Sequence, residues 1–436
     1  MMTGDARTNE VRHAVATIWR AESARLIAAL VRRTGDVSTA EDLAQDALMA
    51  ALAQWPQSGI PENPGAWLMQ SARHRAIDGL RRGQRLERKH AELAEQLDAQ
   101  QRVHPEDQWA QALDDHVGDD VLRLLFMTCH PVLAVDAQVA LTLRLLGGLT
   151  TAEIGRAYLA PESTIAQRIV RAKRTLNESR VPFEMPRGAA LGERVGSVLR
   201  VLYLVFNEGY AASAGDDWMR PALADEALRL ARLLTALMPE VSEAHGLLAL
   251  MELQWSRADA RIGPNGTAVL LLDQDRSRWD LLAIRRGLAA QSQAESLTGT
   301  LGPYALQAAI AACHARATTA SETDWVRIVA LYDGLVELTG SPVVELNRAV
   351  AVSMAFGPAE GLMLLAELSE DPALRRYHLL PAARGDMLDR AGRVEEAIVA
   401  LREAVNLAEN TQDRAVLEQR ITSLTQKSGI SITPVS

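Results

Sequence analysis

An eight-residue segment in the second half of the chain concentrates acidic, basic and aromatic side chains, Asp273-Gln-Asp-Arg-Ser-Arg-Trp-Asp280. Its candidate site residues are Asp273, Asp275, Arg276, Arg278, Trp279 and Asp280. The first two carboxylates could bind a cation or polarise a water molecule. The two arginines could instead pair with those carboxylates and lock an internal surface. Because no nucleophile or base accompanies the carboxylates, the sequence favours structural pairing or an interdomain contact over catalysis.

A second group of residues has the spacing of a DNA-reading helix. Thr150 and Glu153 predict a capping box that opens a short helix to about Tyr158, and Pro161 predicts the first residue of the next helix. That next helix carries an apolar seam formed by Ile165, Ile169, Ala172 and Leu176. Away from the seam lie the polar residues Ser163, Thr164, Gln167, Arg168, Arg171, Lys173 and Arg174. This layout indicates a helix-turn-helix, in which glutamine and arginine read base edges while lysine and arginine neutralise phosphates. An ordinary helical hairpin with a solvated basic face is the alternative.

A cationic stripe is predicted on a helix from Ala66 to Arg82, which follows a proline-rich loop. The loop and the polar stripe supply the candidate residues Asn63, Trp67, His74, Arg75, Asp78, Arg81 and Arg82. A cationic stripe beside an aromatic ring can follow one DNA strand and stack on an unpaired base. The alternatives are a core position for Trp67 and an ordinary solvated surface for the arginines.

A helix predicted to run to Trp55 mixes apolar and acidic residues on its outward face. Ser38 to Glu41 predicts a capping box at its start. The outward candidate residues are Asp42, Gln45, Asp46 and Met49. Such a mixture suits a protein partner better than plain solvent. A second packing surface within the same domain is the alternative.

The charge of the 436-residue chain is unevenly distributed. Its formal net charge is −9, but residues 71–90 carry a net +5 and residues 161–180 a net +3, whereas residues 181–436 carry a net −8. Two basic helices therefore precede an acidic remainder, a pattern compatible with nucleic-acid binding by the first part only. The two cysteines exclude a disulfide framework and favour a reducing, cytoplasmic location, and the absence of a long apolar run predicts no membrane span.

The pattern of apolar residues predicts an all-α chain, because alternating β-branched runs are nearly absent. We expect helical domains at residues 10–83 and 116–181, a linker at 84–115, and a helical extension at 187–430. Within the extension, the sequence from Leu346 to Gly361 resembles that beginning at Leu380, at an offset of 34 to 35 residues. This offset is the period of tetratricopeptide helix pairs.

The motifs Ala40-Glu-Asp-Leu-Ala-Gln-Asp-Ala-Leu, Asn63-Pro-Gly-Ala-Trp-Leu and Ala72-Arg-His-Arg-Ala-Ile-Asp-Gly-Leu-Arg-Arg resemble region 2 of extracytoplasmic-function (ECF) sigma factors. The segments that begin at Ala140 and at Thr164 resemble region 4 of the same family, with matching order and spacing. The resemblance implies an all-α sigma region 2 domain, a sigma region 4 helix-turn-helix domain and promoter-specific transcription initiation, with no catalysed reaction and no cofactor or metal.

The resemblance also assigns partners to the candidate residues. Core RNA polymerase would be bound through its largest-subunit clamp helices and its flap region, the former by the outward face from Asp42 to Met49. The residues from Asn63 to Arg82 would read and open the −10 element of promoter DNA. The helix that follows Pro161 would read the −35 element.

The extension resembles the C-terminal domain, tetratricopeptide-like, of one subgroup of these factors. Its most recognisable residues are Asn207, Glu208 and Tyr210, together with the segment from Asp273 to Asp280. A regulatory protein could bind this extension. Its acidic surface could mask the basic domains, or it could hold a productive arrangement, and the resemblance favours the second role. Two further functions are weaker alternatives: a protein-binding scaffold anchored to DNA, and a hydrolase centred on Asp273 and Asp275.

Overall fold

The computed structural model describes residues 4–75, 117–158, 160–211, 219–263, 268–408 and 411–428. These residues form helices and turns, with one isolated antiparallel bridge between Ile262 and Ala268. The prediction of an all-α fold is therefore confirmed. No helix in the described ranges is long and apolar enough to cross a membrane. The predicted linker at 84–115 lies outside the described residues.

The chain divides into two compact units, residues 1–201 and 202–436. The helices of the first unit are α1 (Gly4–Thr34), α2 (Val37–Ser58), α3 (64–75), α4 (Val117–Thr128), α5 (Val135–Leu145), α6 (Thr151–Ala157), α7 (Glu162–Glu178) and the first half of α8 (Ala189–Tyr210). Helix α1 packs against α2 and α4, while α7 packs against α2, α5 and α6. The boundary between the two compact units falls inside α8. It therefore does not coincide with the predicted end of the second helical domain at 181 or the predicted start of the extension at 187, and these limits stay predictions.

Small residues allow α2 to pack closely in the first unit. Its inward positions repeat alanine and end on an aromatic ring, and they are fully buried: Ala40, Ala44, Ala47, Ala51 and Trp55. Their spacing of three or four residues places them on one face of the helix. The opposite face of α2 is consequently left for other contacts.

The second unit is built from helices that pack on their neighbours in the chain. They are α9 (Pro221–Leu237), α10 (Ser242–Trp255), α11 (Leu281–Leu297), α12 (Pro303–Arg316), α13 (Trp325–Thr339), α14 (Pro342–Phe356), α15 (Pro358–Leu368), α16 (Leu379–Arg390), α17 (Val394–Leu407) and α18 (Thr411–Ser428). Short 3-10 turns at Ala258–Arg261, Leu271–Asp273 and Arg276–Arg278 connect α10 to α11. The segment from Asp273 to Asp280 thus lies in a connection between two helices that pack on each other.

The internal repeat corresponds to two helical hairpins. Gly357 joins α14 to α15 with a φ of 114°, and Gly392 precedes α17 with a φ of 76°. Only glycine adopts these backbone angles without strain, which explains why the two related sequences share it. A buried cluster of Leu346, Leu365 and Met387 then packs the first hairpin against α16.

Candidate functional site: a helix-turn-helix and a fixed extension motif

The short helix before the reading helix begins with the predicted capping box. The Thr150 hydroxyl accepts from the Glu153 amide at 3.1 Å, and the Glu153 carboxylate accepts from the Thr150 amide at 2.8 Å. Two amides at the start of α6 are thereby satisfied. The prediction of this capping box is confirmed, and it fixes where the first helix of the helix-turn-helix begins.

Helix α7 buries the apolar seam that its sequence predicted. It begins at Glu162, one residue after the predicted position, with Pro161 as its N-cap. The four seam residues, Ile165, Ile169, Ala172 and Leu176, are all at most 4% exposed. Burial of this seam turns the opposite face of α7 towards solvent, where Ser163, Thr164, Gln167, Arg171 and Arg174 are exposed.

Two of the predicted DNA-contacting residues flank the seam and make protein contacts. Lys173 is 13% exposed and forms an ion pair with Glu41 of α2. Arg168 lies 3.4 Å from Asp136 at the start of α5. Lys173 and Arg168 are therefore less exposed than the polar residues on the opposite face of α7, such as Gln167 and Arg171.

Val170 was not among the predicted DNA contacts, yet it occupies the centre of the exposed face of α7. Its side chain is 64% exposed between Gln167 and Arg174 along the helix. An exposed valine there can contact the methyl group of thymine. The exposure of Val170 follows from its position away from the seam of α7, but a search for polar residues does not identify it as a base contact.

The predicted capping box at Ser38 to Glu41 is wrong. Helix α2 begins two residues earlier than expected, with Asp36 in place of Ser38 as the N-cap, and the Asp36 carboxylate accepts from the Thr39 amide at 2.8 Å. Glu41 is instead buried, with its side chain 4% exposed. A buried carboxylate is stabilised more by nearby cations than by a free helix amide.

Two charged partners of Glu41 come from helices α5 and α7, which are distant in sequence, and a third partner, Gln45, comes from α2 itself. Its Oε1 accepts from Nε of Arg144 at 2.6 Å and from Nε2 of Gln45 at 2.7 Å, and Lys173 pairs with Oε2. Burial by itself raises the pKa of Glu41, but the charges and hydrogen bonds of Lys173 and Arg144 outweigh it and hold the pKa below its usual value. The carboxylate therefore stays ionised in its buried position.

Three of the four candidate residues on the outward face of α2 are exposed. Asp42 and Asp46 are exposed and the Met49 side chain is 62% exposed, whereas Gln45 is half-buried because it bonds to Glu41. Asp46 also lies 3.3 Å from Arg75 of α3, which ties this face to the predicted −10 surface.

Only part of the predicted polar stripe lies within the described residues of α3 and is exposed. Asn63 caps the helix, accepting from the Ala66 amide at 3.0 Å, and His74 and Arg75 are exposed. Trp67 is half-buried, with its ring 5.3 Å from that of Trp55 in an edge-to-face contact. The remaining predicted residues, Asp78, Arg81 and Arg82, lie outside the described residues.

The arginines of the extension motif bond to main-chain carbonyls, which corrects the prediction that they pair with the neighbouring carboxylates. Arg276 donates to the carbonyls of His314 and Ala317, both at 2.6 Å. Arg278 donates to the carbonyls of Asp259 and Ile262. The carbonyls that end a helix or lie in a turn need such donors, and a guanidinium can supply several at once.

The carboxylates of the motif organise their own backbone. Asp275 accepts from the Ser277 amide at 2.9 Å and from its hydroxyl at 2.7 Å, and these bonds lower the pKa of Asp275. Asp280 is the N-cap of α11 and accepts from the Leu282 amide at 2.8 Å. Asp273 is exposed on the preceding turn. These bonds favour the structural interpretation of the motif over the hydrolase alternative.

The aromatic residue of the motif anchors it in the core of the second unit. Trp279 is 4% exposed and packs in a cluster with Leu253, Ile284 and Ala312, and the guanidinium of Arg276 lies 4.8 Å from the centre of its ring. Within the described ranges, no group of three or more His, Cys, Asp or Glu side chains is arranged to hold a metal ion.

The residues from Asn207 to Tyr210 form the last turn of α8, which packs closely against α9. Glu208 forms an ion pair with Arg220, the Asn207 carbonyl accepts from the Ala211 amide at 2.7 Å, and the guanidinium of Arg261 lies 3.8 Å from the centre of the Tyr210 ring. The intervening Gly209 is required by close approach, because a Cβ there would lie 2.4 Å from the Ala224 amide nitrogen. This second motif of the extension is therefore also a packing element.

We predict that Arg276→Ala destabilises the second unit by about 2–3 kcal/mol, because three acceptors lose a charged donor. Those acceptors are the carbonyls of His314 and Ala317 and the hydroxyl of Thr323. Chemical denaturation followed by circular dichroism measures the change. The matched control is Arg285→Ala, which removes an exposed arginine from the neighbouring α11 and should leave stability within about 0.5 kcal/mol. Equal effects of the two substitutions would contradict an anchoring role for Arg276.

Three segments of the chain match described protein families. Residues 18–86 match Sigma-70 region 2, and residues 123–176 match Sigma-70, region 4. Residues 194–295 match a family of unknown function, DUF6596. The two sigma matches cover the described α2, α3 and helix-turn-helix, while the third covers both motifs of the extension.

Two relatives extend these matches. An uncharacterized protein of Rhizobium meliloti (strain 1021) is 42% identical over 408 residues, which cover 91% of this chain and 92% of that protein. The Mycobacterium tuberculosis protein named "Probable ECF RNA polymerase sigma factor SigI" is 28% identical over 167 residues, which cover 38% of this chain and 56% of that protein. The chain therefore belongs to the same family as the Rhizobium meliloti protein, and it carries sigma-70 regions 2 and 4 ahead of a helical C-terminal part with a DUF6596 domain.

Proposed function

We propose that this protein is a sigma factor of the extracytoplasmic-function type, which binds core RNA polymerase and directs transcription initiation at specific promoters. The observation that carries the proposal is the presence of sigma-70 region 2 and region 4 in one chain, in that order. The similarity to SigI over 167 residues supports the same conclusion. In this role the chain catalyses no reaction itself.

Reading of the −35 element is assigned to the exposed face of α7. This face presents Gln167, Arg171 and Arg174, and Val170 adds an apolar contact. Glutamine and arginine discriminate between bases through paired hydrogen bonds in the major groove. The buried seam holds the helix while this face enters the groove.

Reading of the −10 element is assigned to the surface of α3 and to the predicted DNA-contacting residues Asp78, Arg81 and Arg82 that follow it in the sequence. His74 and Arg75 are exposed there, next to the half-buried Trp67. Because Trp67 already contacts Trp55 edge-on, its role is to support a reading surface whose polar residues contact the DNA strand. Asn63, as the cap of α3, fixes where that surface begins.

Binding of core polymerase is assigned to the outward face of α2, formed by Asp42, Gln45, Asp46 and Met49. An exposed methionine surrounded by carboxylates is typical of a surface that a protein partner covers. We place the clamp helices of the largest polymerase subunit here and the flap region against region 4, as the resemblance implies.

For the extension, we propose a tetratricopeptide-like array that supports activity and can bind a regulatory protein. The helical hairpins joined at Gly357 and Gly392 support the repeat, and the fixed bonds of Arg276 and Arg278 support a rigid surface rather than a loose acidic cover. An extension that only covered the basic domains through its negative charge would not need these internal hydrogen bonds.

Run-off transcription by core RNA polymerase tests the central proposal. The purified protein should start transcripts at a defined position on promoters near its own gene. A scaffold anchored to DNA would bind those fragments without producing a transcript of defined length, and that result would exclude a sigma factor.

We predict that Gln167→Ala combined with Arg171→Ala abolishes discrimination between the −35 element and a scrambled sequence. Loss of a paired base contact costs about 1–3 kcal/mol per residue, and neither residue lies in the seam, so folding should be intact. Competition binding of holoenzyme to the two DNA sequences measures the loss. The control Arg156→Ala removes the same charge from the exposed face of α6 and should weaken both sequences alike. Undiminished discrimination by the double variant would refute the assignment of α7.

We predict that Met49→Glu weakens binding to core polymerase by at least about 10-fold, since it places a charge in the centre of an apolar contact. The side chain is 62% exposed, so the melting temperature should change little. Biolayer interferometry with immobilised core enzyme measures the affinity. Gln54→Glu, at an exposed position on another face of α2, is the control with the same added charge. Equal affinities of the two variants would move the polymerase contact elsewhere.

We predict that deletion of the residues after Tyr210 lowers transcription from the cognate promoter in vivo. The cut keeps the first half of α8 in place, because Arg194 in that half donates to the Phe126 carbonyl at 2.5 Å within the first unit. A reporter gene, with protein levels matched by immunoblotting, measures the change. Greater activity of the shortened protein in vitro, with a difference that shrinks at high salt, would support masking instead.

A further inference from the structure

An arginine just after the end of α10 lies near two aromatic rings and two other arginines of the second unit. The guanidinium carbon of Arg257 is 5.9 Å from the centre of the Tyr210 ring and 6.0 Å from that of the Trp279 ring. Arg261 lies closer to the first ring, at 3.8 Å, and Arg276 lies closer to the second, at 4.8 Å. Each ring therefore has one arginine in close contact, and Arg257 approaches both rings from a greater distance.

The two neighbouring arginines donate to main-chain carbonyls, whereas Arg257 does not. Arg261 donates to the carbonyl of Tyr210, and Arg276 donates to two carbonyls, one in the last turn of α12 and one just beyond that helix. Within the described ranges, the half-buried guanidinium of Arg257 makes no hydrogen bond and no ion pair. Because both rings lie at the outer limit of a cation–π contact, which is about 6 Å, they stabilise its charge only weakly.

The charge of Arg257 also acts on its basic neighbours. Burial lowers the pKa of Arg276, and the charge of Arg257 lowers it further. Burial likewise lowers the pKa of His314 to about 4, with added contributions from Arg257 and Arg276. The exposed carboxylate of Glu322 acts on Arg276 in the opposite direction, but it already accepts from the Thr319 amide. An anion bound beside Arg257 would stabilise this group of cations.

The indole of Trp279 independently indicates that an acceptor binds here. Its side chain is 4% exposed, and its nitrogen Nε1, which can only donate, has no hydrogen-bond partner among the described residues. A buried donor without an acceptor is unfavourable and rare in native structures. One oxyanion can bridge the 6.0 Å between the Arg257 guanidinium and the centre of this ring, because each N–H···O bond spans about 2.9 Å. A water molecule could accept from the indole, but only an anion would also neutralise Arg257.

We propose that the second unit binds a compact oxyanion, a phosphate or carboxylate group, which accepts from the guanidinium of Arg257 and from the indole N–H of Trp279. The planar fork of an arginine matches two oxygens of either group. Arg257 follows α10 and Trp279 precedes α11, so one bound anion joins the two ends of the connection between these helices. The site gives the extension a ligand of its own, because it needs neither polymerase nor promoter DNA.

Titration of the full-length protein with inorganic phosphate and with acetate tests the site. Sodium chloride at equal ionic strength controls for screening, and the comparison of phosphate with acetate shows which oxyanion the site prefers. Because the basic helices of the first unit also attract phosphate, binding is localised through the indole N–H resonance of Trp279, followed by NMR. The resonance that disappears in Trp279→Phe assigns this signal.

The expected result is a shift of the Trp279 resonance that saturates with the oxyanion, and a dissociation constant raised at least about 10-fold by Arg257→Gln. Arg257→Lys keeps the charge but loses the planar fork, so it should weaken binding less than Arg257→Gln does. The matched control is Arg285→Gln, which removes an exposed arginine of α11 and should change neither measurement. Without added oxyanion, Arg257→Gln should lower the melting temperature little, because it removes a cation that repels its neighbours.

Two results would overturn the inference: a Trp279 resonance that neither oxyanion shifts beyond the effect of chloride, or equal binding by the wild type and Arg257→Gln. If Arg257→Gln fails to fold, the comparison of the wild type with Arg257→Lys decides between the same outcomes. Loss of the anion site would leave the proposed sigma-factor function standing, since run-off transcription tests that function separately.

Discussion

A carboxylate removed from water must be matched by cations close to it, and in the first unit this constraint acts through Glu41. Its partners Arg144 and Lys173 reach it from two helices of region 4. Breaking one side of a buried pair leaves an uncompensated charge and typically costs about 3–5 kcal/mol, so the three side chains stay together or separate together. The contact between α2 and α7 and the half-buried position of Gln45 both follow from the position of this carboxylate.

The exposed face of α7 shows how one helix divides its residues between structure and recognition. The seam from Ile165 to Leu176 faces the unit, and the opposite side remains in solvent. Positions on the edge of the seam, such as Arg168 and Lys173, are drawn into ion pairs with neighbouring helices. The residues best suited to read DNA are therefore those farthest from the seam, and Val170 is one of them despite being apolar.

The second unit contains a long connection between two helices that pack on each other, α10 and α11. Its turns expose carbonyls that no helix satisfies, and Arg276 and Arg278 supply donors to them from within the connection itself. Asp275 and Asp280 meanwhile accept from nearby amides. The charged side chains of this segment therefore hold its backbone in place. Aspartate and arginine are also the residue types found in catalytic and metal-binding sites, but here they form hydrogen bonds with backbone groups.

The sequence by itself determined the all-α fold, the seam of α7, the capping box at Thr150 and the hairpins at Gly357 and Gly392, because each of these depends on residues close together in the chain. Helical periodicity and glycine geometry are local properties. The tertiary structure alone decided that Glu41 would be buried rather than act in a cap, since its partner Arg144 is 103 residues away. It likewise decided that the motif arginines bind carbonyls of distant turns, including that of His314, 38 residues from Arg276. A charged side chain can pair with any opposite charge or acceptor within reach. The packing of the helices decides which partner lies within reach, and the spacing of residues within one helix carries no information about that packing.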